Sequence, residues 1–140
     1  MSVLPDDWAL PTLNNRNEVW FTSQSIAVQC CNACGVRQHP PEEVCYRCGG
    51  TAFEHTVLAP TGTVFSYTVA HYAVNRALAE SVPYAVVLVS LDEDPAIRVV
   101  GNLLGYAVDK IRIGLAVEAC WEERTAEDAT VIHLPQWRAR

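Results

Sequence analysis

Beyond about residue 59, apolar and polar residues alternate at the two-residue period of a half-buried strand. Thr63 to Tyr72 places Phe65, Tyr67, Val69 and His71 on one face, and Leu115, Val117, Ala119 and Trp121 alternate with Ala116, Glu118, Cys120 and Glu122. Ile97 to Leu104, ended by Gly105, and Thr130 to Leu134 supply two more strands. Pro83 to Leu91 differs: it is almost continuously apolar, as a strand covered on both sides would be. The acidic turn Asp92-Glu93-Asp94-Pro95 joins it to the next strand as a hairpin. Five strands in about eighty residues, with glycine at the corners, predict a small closed barrel. The segment 73–82 is the longest connection between strands and the place to look for a functional loop.

The first part of the chain has another texture. Residues 1–13 are irregular, with Pro5 and Pro11. Asn15-Arg16-Asn17-Glu18 has the form of a capping box and predicts one short helix over 15–24, with Trp20 and Phe21 as packing residues. Ser25 to Gln29 and Thr51 to Val57 read as short strands, and two cysteine pairs lie between them. These are Cys31-Asn32-Ala33-Cys34-Gly35 and Cys45-Tyr46-Arg47-Cys48-Gly49-Gly50.

Two residues between thiols let the chain reverse so that both sulfurs face one centre, and glycine after the second thiol permits the positive φ of the reversal. Four thiolates close a tetrahedral zinc shell and leave no position open to substrate, so the predicted site is structural. The pairs are ten residues apart, closer than the usual double-pair spacing, but a compact ribbon tolerates this. A disulfide or a redox-active pair is the alternative. Cys30 is a rival first ligand and His39 a substitute for one thiolate, although Pro40-Pro41 points to a rigid extended connector at that place.

The predicted organisation is mainly β. An N-terminal arm and short helix (1–24) precede a rubredoxin-like zinc ribbon (25–58), and a five-stranded barrel of the OB type with a C-terminal tail follows (59–140). So small a ribbon has little core of its own, and the metal supplies the missing stability.

Half of the 140 residues are hydrophobic, enough for a real core, and no apolar run reaches bilayer length. The first residues lack a basic segment followed by an apolar one, and the paired cysteines favour reduced thiols on a metal, so a cytoplasmic location is expected. The formal charge is −6 and Lys110 is the only lysine. This balance disfavours the alternative role suggested by a ribbon and an OB barrel, binding of single-stranded nucleic acid, which needs a basic groove lined with aromatics.

No nucleophile–base–acid set stands out. His39, His55, His71 and His133 are scattered, and the acids fall in turns and strand ends. Cys30 and Cys120 read as thiols without a role. Arg37, His39 and Arg47 put positive charge on the ribbon, and Arg138 and Arg140 put it on the tail, where arginine forks suit the phosphates of a nucleotide-like ligand. Trp8, Trp20 and Trp137 are candidates for a partner interface.

The order of helix, four-cysteine ribbon and barrel resembles the zinc-ribbon/OB-fold acyl-CoA-associated proteins, catalogued as domain of unknown function thirty-five. The likeness is carried by the two knuckles, the connector His39-Pro40-Pro41, and Gly62-Thr63-Val64-Phe65-Ser66-Tyr67-Thr68-Val69. It continues through Pro83-Tyr84-Ala85-Val86-Val87, Val100-Gly101-Asn102-Leu103, Arg112-Ile113-Gly114 and Leu134-Pro135-Gln136-Trp137-Arg138. The resemblance implies a non-catalytic accessory subunit of a thiolase-fold enzyme, in a heterotetramer around a partner dimer, or a domain fused to a hydratase; in either case ribbon and barrel help hold the CoA part of an acyl-CoA. The members most like this chain serve aldolases that cleave a β-hydroxyacyl-CoA by a retro-aldol step in steroid side-chain degradation. Binding energy from a remote CoA handle can position a reacting thioester, so such a division of labour is physically reasonable. From charge and placement, the candidate CoA contacts are Arg37, His71, Arg76 and Arg138.

Overall fold

The computed structural model describes residues 2–140. One short helix, α1 (Glu18–Thr22), precedes a three-stranded ribbon of β1 (Ile26–Cys31), β2 (Arg37–Gln38) and β3 (Phe53–Leu58), in the order β2-β1-β3. Five further strands close a barrel: β4 (Thr61–Ala70), β5 (Tyr84–Leu91), β6 (Arg98–Leu103), β7 (Ala116–Thr125) and β8 (Val131–Ala139), ordered β4-β5-β6-β8-β7. All pairings are antiparallel except β6 with β8. The mainly-β architecture expected from the alternation is the one observed.

The helix is shorter than the predicted 15–24 and is not opened by a capping box. Asn14 Oδ1 accepts from the Arg16 and Asn17 backbone N–H groups at 2.9 and 3.0 Å, and Asn17 Oδ1 accepts from the Asn14 N–H at 2.8 Å. The asparagines satisfy one another in a turn, as such side chains do in competition with helix. Helical backbone therefore starts only at Glu18, after an N-cap Asn17 whose side chain makes no cap bond.

The core is continuous from α1 through the barrel: Trp20, Ile26 and Val28 join Val64, Val87, Val89, Val99, Val117 and Trp137. Two tryptophans expected at a partner interface are thus interior ones, Trp20 at 7% exposure and Trp137 at 0%. Trp137 lies on β8, which continues through Pro135 where a tail was expected. Proline usually interrupts a ladder because it has no N–H. Here β8 meets β6 at the single register position Leu103–Trp137, so Pro135 forfeits little on that side. A side chain helps close the seam: Gln136 Oε1 accepts from the Asn102 N–H at 2.6 Å, beside the Leu104 N–H bond to the Trp137 carbonyl at 2.8 Å. The same two side chains tie in the neighbouring strands, Gln136 Nε2 donating to Glu122 Oε2 of β7 at 2.7 Å and Asn102 Nδ2 to the Ala85 carbonyl of β5 at 3.1 Å. Gly101 makes room for the indole: a Cβ there would fall 2.9 Å from Trp137 Cδ1.

Two expectations about strand faces are corrected. Phe65 does not share a face with Val69, because the β4–β5 register shifts between Val64 and Ser66. Such a bulge reverses the alternation. Val69 packs against the core, and Phe65 turns outward beneath Arg98, whose guanidinium carbon sits 3.8 Å from the ring centroid. Strand β5 is not covered on both sides: Ala85, Val87, Val89 and Leu91 are buried, while Tyr84, Val86, Leu88 and Ser90 are only half-buried.

Candidate functional site

The two knuckles fold alike. The Gly35 N–H donates to the Cys31 carbonyl at 2.9 Å and the Gly49 N–H to the Cys45 carbonyl at 3.0 Å, with φ of +75° and +76° at the two glycines. Those left-handed conformations are the ones glycine adopts without strain. Strand β1 delivers Cys31 at its end, and the Cys45 N–H closes the second knuckle on the Gly50 carbonyl at 2.8 Å.

The sulfurs of Cys31, Cys34, Cys45 and Cys48 all lie within 4.8 Å of one another. Cys31 to Cys48 is 3.6 Å and Cys34 to Cys45 is 3.7 Å. A tetrahedron with zinc–sulfur bonds of about 2.3 Å has edges of about 3.8 Å, so the cluster fits the ion. Its electrostatics ask for a cation as well. Burial opposes ionisation of Cys45, but the backbone groups of Cys48 and Arg47, with the Cys34 and Cys48 thiols, outweigh it and bring the pKa down to about 7. At Cys48 the Gly50 N–H favours the thiolate, yet the surrounding sulfurs of Cys31, Cys34 and Cys45, with burial, push it up to about 11. One thiolate forms readily and the next is resisted, until a divalent ion neutralises the set. Bound zinc supplies a closed cross-link and no reaction centre. Cys30 lies outside this cluster, its thiol against the Gly35 carbonyl at 3.6 Å.

His39 is likewise no ligand; it stacks on Trp20 with ring centroids 4.2 Å apart. Burial pushes its imidazole down to about 4, and Nδ1 has no hydrogen-bond partner.

Sequence reasoning missed what positions the second knuckle. Pro40 and Pro41 lack N–H groups, so the connector cannot build its own ladder. Buried Gln29 and Gln38 hold it. Gln29 Oε1 accepts from Gln38 Nε2 at 2.8 Å and from the Glu42 N–H at 3.0 Å, while its Nε2 donates to the Glu42 carbonyl at 2.7 Å. Gln38 Oε1 accepts from the Tyr46 N–H at 3.1 Å. Proline pairs flanked by glutamines on neighbouring strands were the available signal.

The four candidate CoA residues do not converge on one site. Arg37 meets Asp94 of the β5–β6 turn at 3.3 Å, and Arg138 pairs with Glu118 at 2.9 Å, opposite Thr61 at the start of β4. His71 and Arg76 are exposed on the loop between β4 and β5, with Arg76 opening a 3₁₀ turn capped by Asn75. The β4–β5 ladder between the Arg37–Asp94 pair and that loop runs from Gly62–Leu91 to Ala70–Tyr84, roughly 24 Å at strand rise, while Arg138 borders a pocket with Leu104 and Gly105 at the end of β6. Among the described residues neither His71 nor Arg76 is ion-paired, and Tyr72 (82% exposed) and Val74 (90%) share their loop.

With the ribbon and barrel defined, their relatives can be stated. Residues 22–54 match the family model described as the ChsH2 rubredoxin-like zinc ribbon domain, and residues 55–122 match the ChsH2 C-terminal OB-fold domain. A DUF35 domain-containing scaffold protein of Methanocaldococcus jannaschii is 33% identical over 74% of this chain and 70% of its own length. The chain belongs to the ChsH2-type zinc-ribbon/OB-fold family, the DUF35 family. A probable enoyl-CoA hydratase alpha subunit of Thermomonospora curvata is 39% identical over 91% of this chain. A 3-oxo-4,17-pregnadiene-20-carboxyl-CoA hydratase alpha subunit of Mycobacterium tuberculosis is 30% identical over 74% of it. The chain spans only 39% and 29% of those two subunits. Among solved structures, a chain of the Ltp2-ChsH2(DUF35) aldolase superposes with a TM-score of 0.77 at 38% identity, covering 93% of this chain and 98% of that one. Among the described residues no helix is long and apolar enough to cross a membrane.

Proposed function

We propose that this DUF35 chain is a non-catalytic accessory subunit that holds the CoA part of an acyl-CoA for a thiolase-fold aldolase acting in steroid side-chain degradation. The observation that carries this reading is the near end-to-end match, at 38% identity, to a chain of the Ltp2-ChsH2(DUF35) aldolase. The name of the mycobacterial relative, a hydratase subunit for a steroid CoA thioester, supports the substrate class. The partner performs the retro-aldol step, and two copies of this chain flank a partner dimer.

In this reading the grip on CoA begins on the β4–β5 loop. Tyr72 offers an exposed ring on which adenine stacks, Arg76 offers positive charge and N–H donors to phosphate, and His71 offers a ring N–H. Arg37, at the far end of the β4–β5 ladder, and Arg138 serve only by exchanging Asp94 and Glu118 for a phosphate.

The test is calorimetry of the zinc-loaded chain with CoA, alone and in complex with the aldolase subunit, followed by turnover on a panel of acyl-CoA thioesters. The expected result is turnover by the complex only, with Arg76→Ala raising KM about tenfold, the loss of one charge-assisted contact. Turnover by the isolated chain would sink the reading.

A further inference from the structure

The outer surface of the barrel is of two kinds. Strand β7 carries Glu118, Glu122 and Glu123, whereas β4, β5, β6 and β8 contain no Asp or Glu, and of these β4, β5 and β6 lie side by side. Ladder partners share a face, so the side opposite buried Val87 and Val89 carries Val86 and Leu88 of β5, with Val100 and Arg98 of β6 beside Leu88 and Ser90. The bulge adds Phe65, held under Arg98. Val100 is 58% exposed at the edge of a groove it shares with Phe21, His39 and Pro41, and Phe65 stays 43% exposed beneath Arg98, so the chain covers this face only in part. Strand β5 has the composition of a doubly covered strand and only one cover.

We infer that the second cover comes in trans: the β4–β5–β6 face is the docking surface for the enzyme subunit, which meets it with an apolar patch and a carboxylate opposite Arg98. The inference rests on the accessory-subunit reading and adds the place of contact. The chemistry favours a folded protein partner. An interface core is apolar and depleted of charge, and this face carries no acid in a chain of net charge −6. Its one cation, Arg98, is already oriented by an aromatic ring, the state in which arginine anchors an interface at low entropic cost. The placement suits the proposed task too. Ala70 and Tyr84, which flank the loop of His71, Tyr72 and Arg76, border this face, so a docked partner lies beside the loop.

The experiment measures binding of the Ltp2-type aldolase subunit from the same genome to the zinc-loaded chain, by surface plasmon resonance at two salt concentrations. Val100→Glu, at an exposed site, weakens binding about 100-fold or more, the scale of an interface hot spot. Arg98→Ala weakens it several-fold and removes most of the salt dependence. Val131→Glu, a control on the exposed part of β8, binds like the wild type, and thermal melts show all three variants folded. If the wild type binds and both face variants bind equally well, the face is wrong and the accessory reading stands. If the wild type does not bind, both fall. If the chain alone is a dimer in ultracentrifugation and Val100→Glu dissociates it, the occupant is a second copy and the proposal is overturned.

Discussion

The ribbon and the barrel are held together by opposite means. The barrel buries Val64, Val87, Val89, Val99, Val117 and Trp137, an apolar interior that stabilises itself. Away from the ends of β1 and β3 that join this interior, the ribbon buries two cysteines and two glutamines. Its knuckles are pinned by thiols and its connector by amide hydrogen bonds. The barrel is stabilised by apolar burial, and the thiol end of the ribbon calls for a metal. A family built this way keeps its rigid surface in the barrel and lets an ion fix a small appendage against it.

The largest contrast comes from removing the metal. Metal analysis of the purified chain should find about one zinc per polypeptide. A structural tetrathiolate site contributes about 10–16 kcal/mol of apparent binding energy, most of which is ribbon folding. Chelation or Cys31→Ser should therefore collapse the ribbon's amide resonances while the barrel's dispersed resonances persist. A spectrum unchanged on loss of zinc, or a barrel lost along with the ribbon, would show the two parts are not separately stabilised.

Perturbing the barrel should do the converse. Trp137→Ala empties the largest fully buried side chain and should cost about 3–5 kcal/mol. Gly101→Ala should cost about 1–3 kcal/mol, since its Cβ meets the indole at 2.9 Å. Denaturant unfolding with zinc saturating should show both losses while zinc content stays at one per chain.

How much of this contrast was visible in the residues follows from range. The knuckles were legible because ligand chemistry is local: spacing and glycine fix the geometry within five residues. The barrel strands were legible because alternation is local too. What escaped depended on distant partners. Trp137 reads as a tail residue until β6 supplies Gly101, and the last strand reads as Thr130 to Leu134 until the Gln136 bond to Asn102 carries β8 on past Pro135. Asn15 reads as a cap until Asn14 and Asn17 bond each other. Phe65 turned outward because one bulge shifted a register that no single strand reveals. Among the candidate ligand residues, Arg37 and Arg138 have acidic neighbours far away in the sequence, and only the loop residues His71 and Arg76 stand apart from ion pairs among those described.

The junction between the two parts should respond to pH. Burial holds the His39 imidazole at about 4, below the ordinary 6.5 of an unfolded histidine. Above pH 6.5 neither state binds the proton and stability is unaffected. As pH falls from 6.5 towards 4 the unfolded chain gains a proton that the folded chain refuses, so stability declines, and below 4 the loss levels off. At most about 3 kcal/mol is at stake. His39→Phe keeps a ring against Trp20 and should flatten this limb of the stability–pH curve, followed by tryptophan fluorescence with zinc held constant. An unchanged slope in the variant would place the proton uptake elsewhere.

The smallest effect belongs to the ion pair that spans the junction. Arg37 on the ribbon and Asp94 on the β5–β6 turn are 3.3 Å apart with side chains 36% and 25% exposed, open enough for water and salt to screen them. A double-mutant cycle through Arg37→Ala and Asp94→Ala should give a coupling of about 0.5 kcal/mol, shrinking in high salt. The size is informative because the pair joins parts stabilised by different chemistry. If ribbon and barrel are docked chiefly by the Trp20–His39 stack and the shared core, cutting this bond leaves the zinc affinity and the barrel's unfolding midpoint nearly as they were. A coupling several times larger would mean that Arg37 is a main tie between the parts, and it would then be too firmly held by Asp94 to be released to a phosphate.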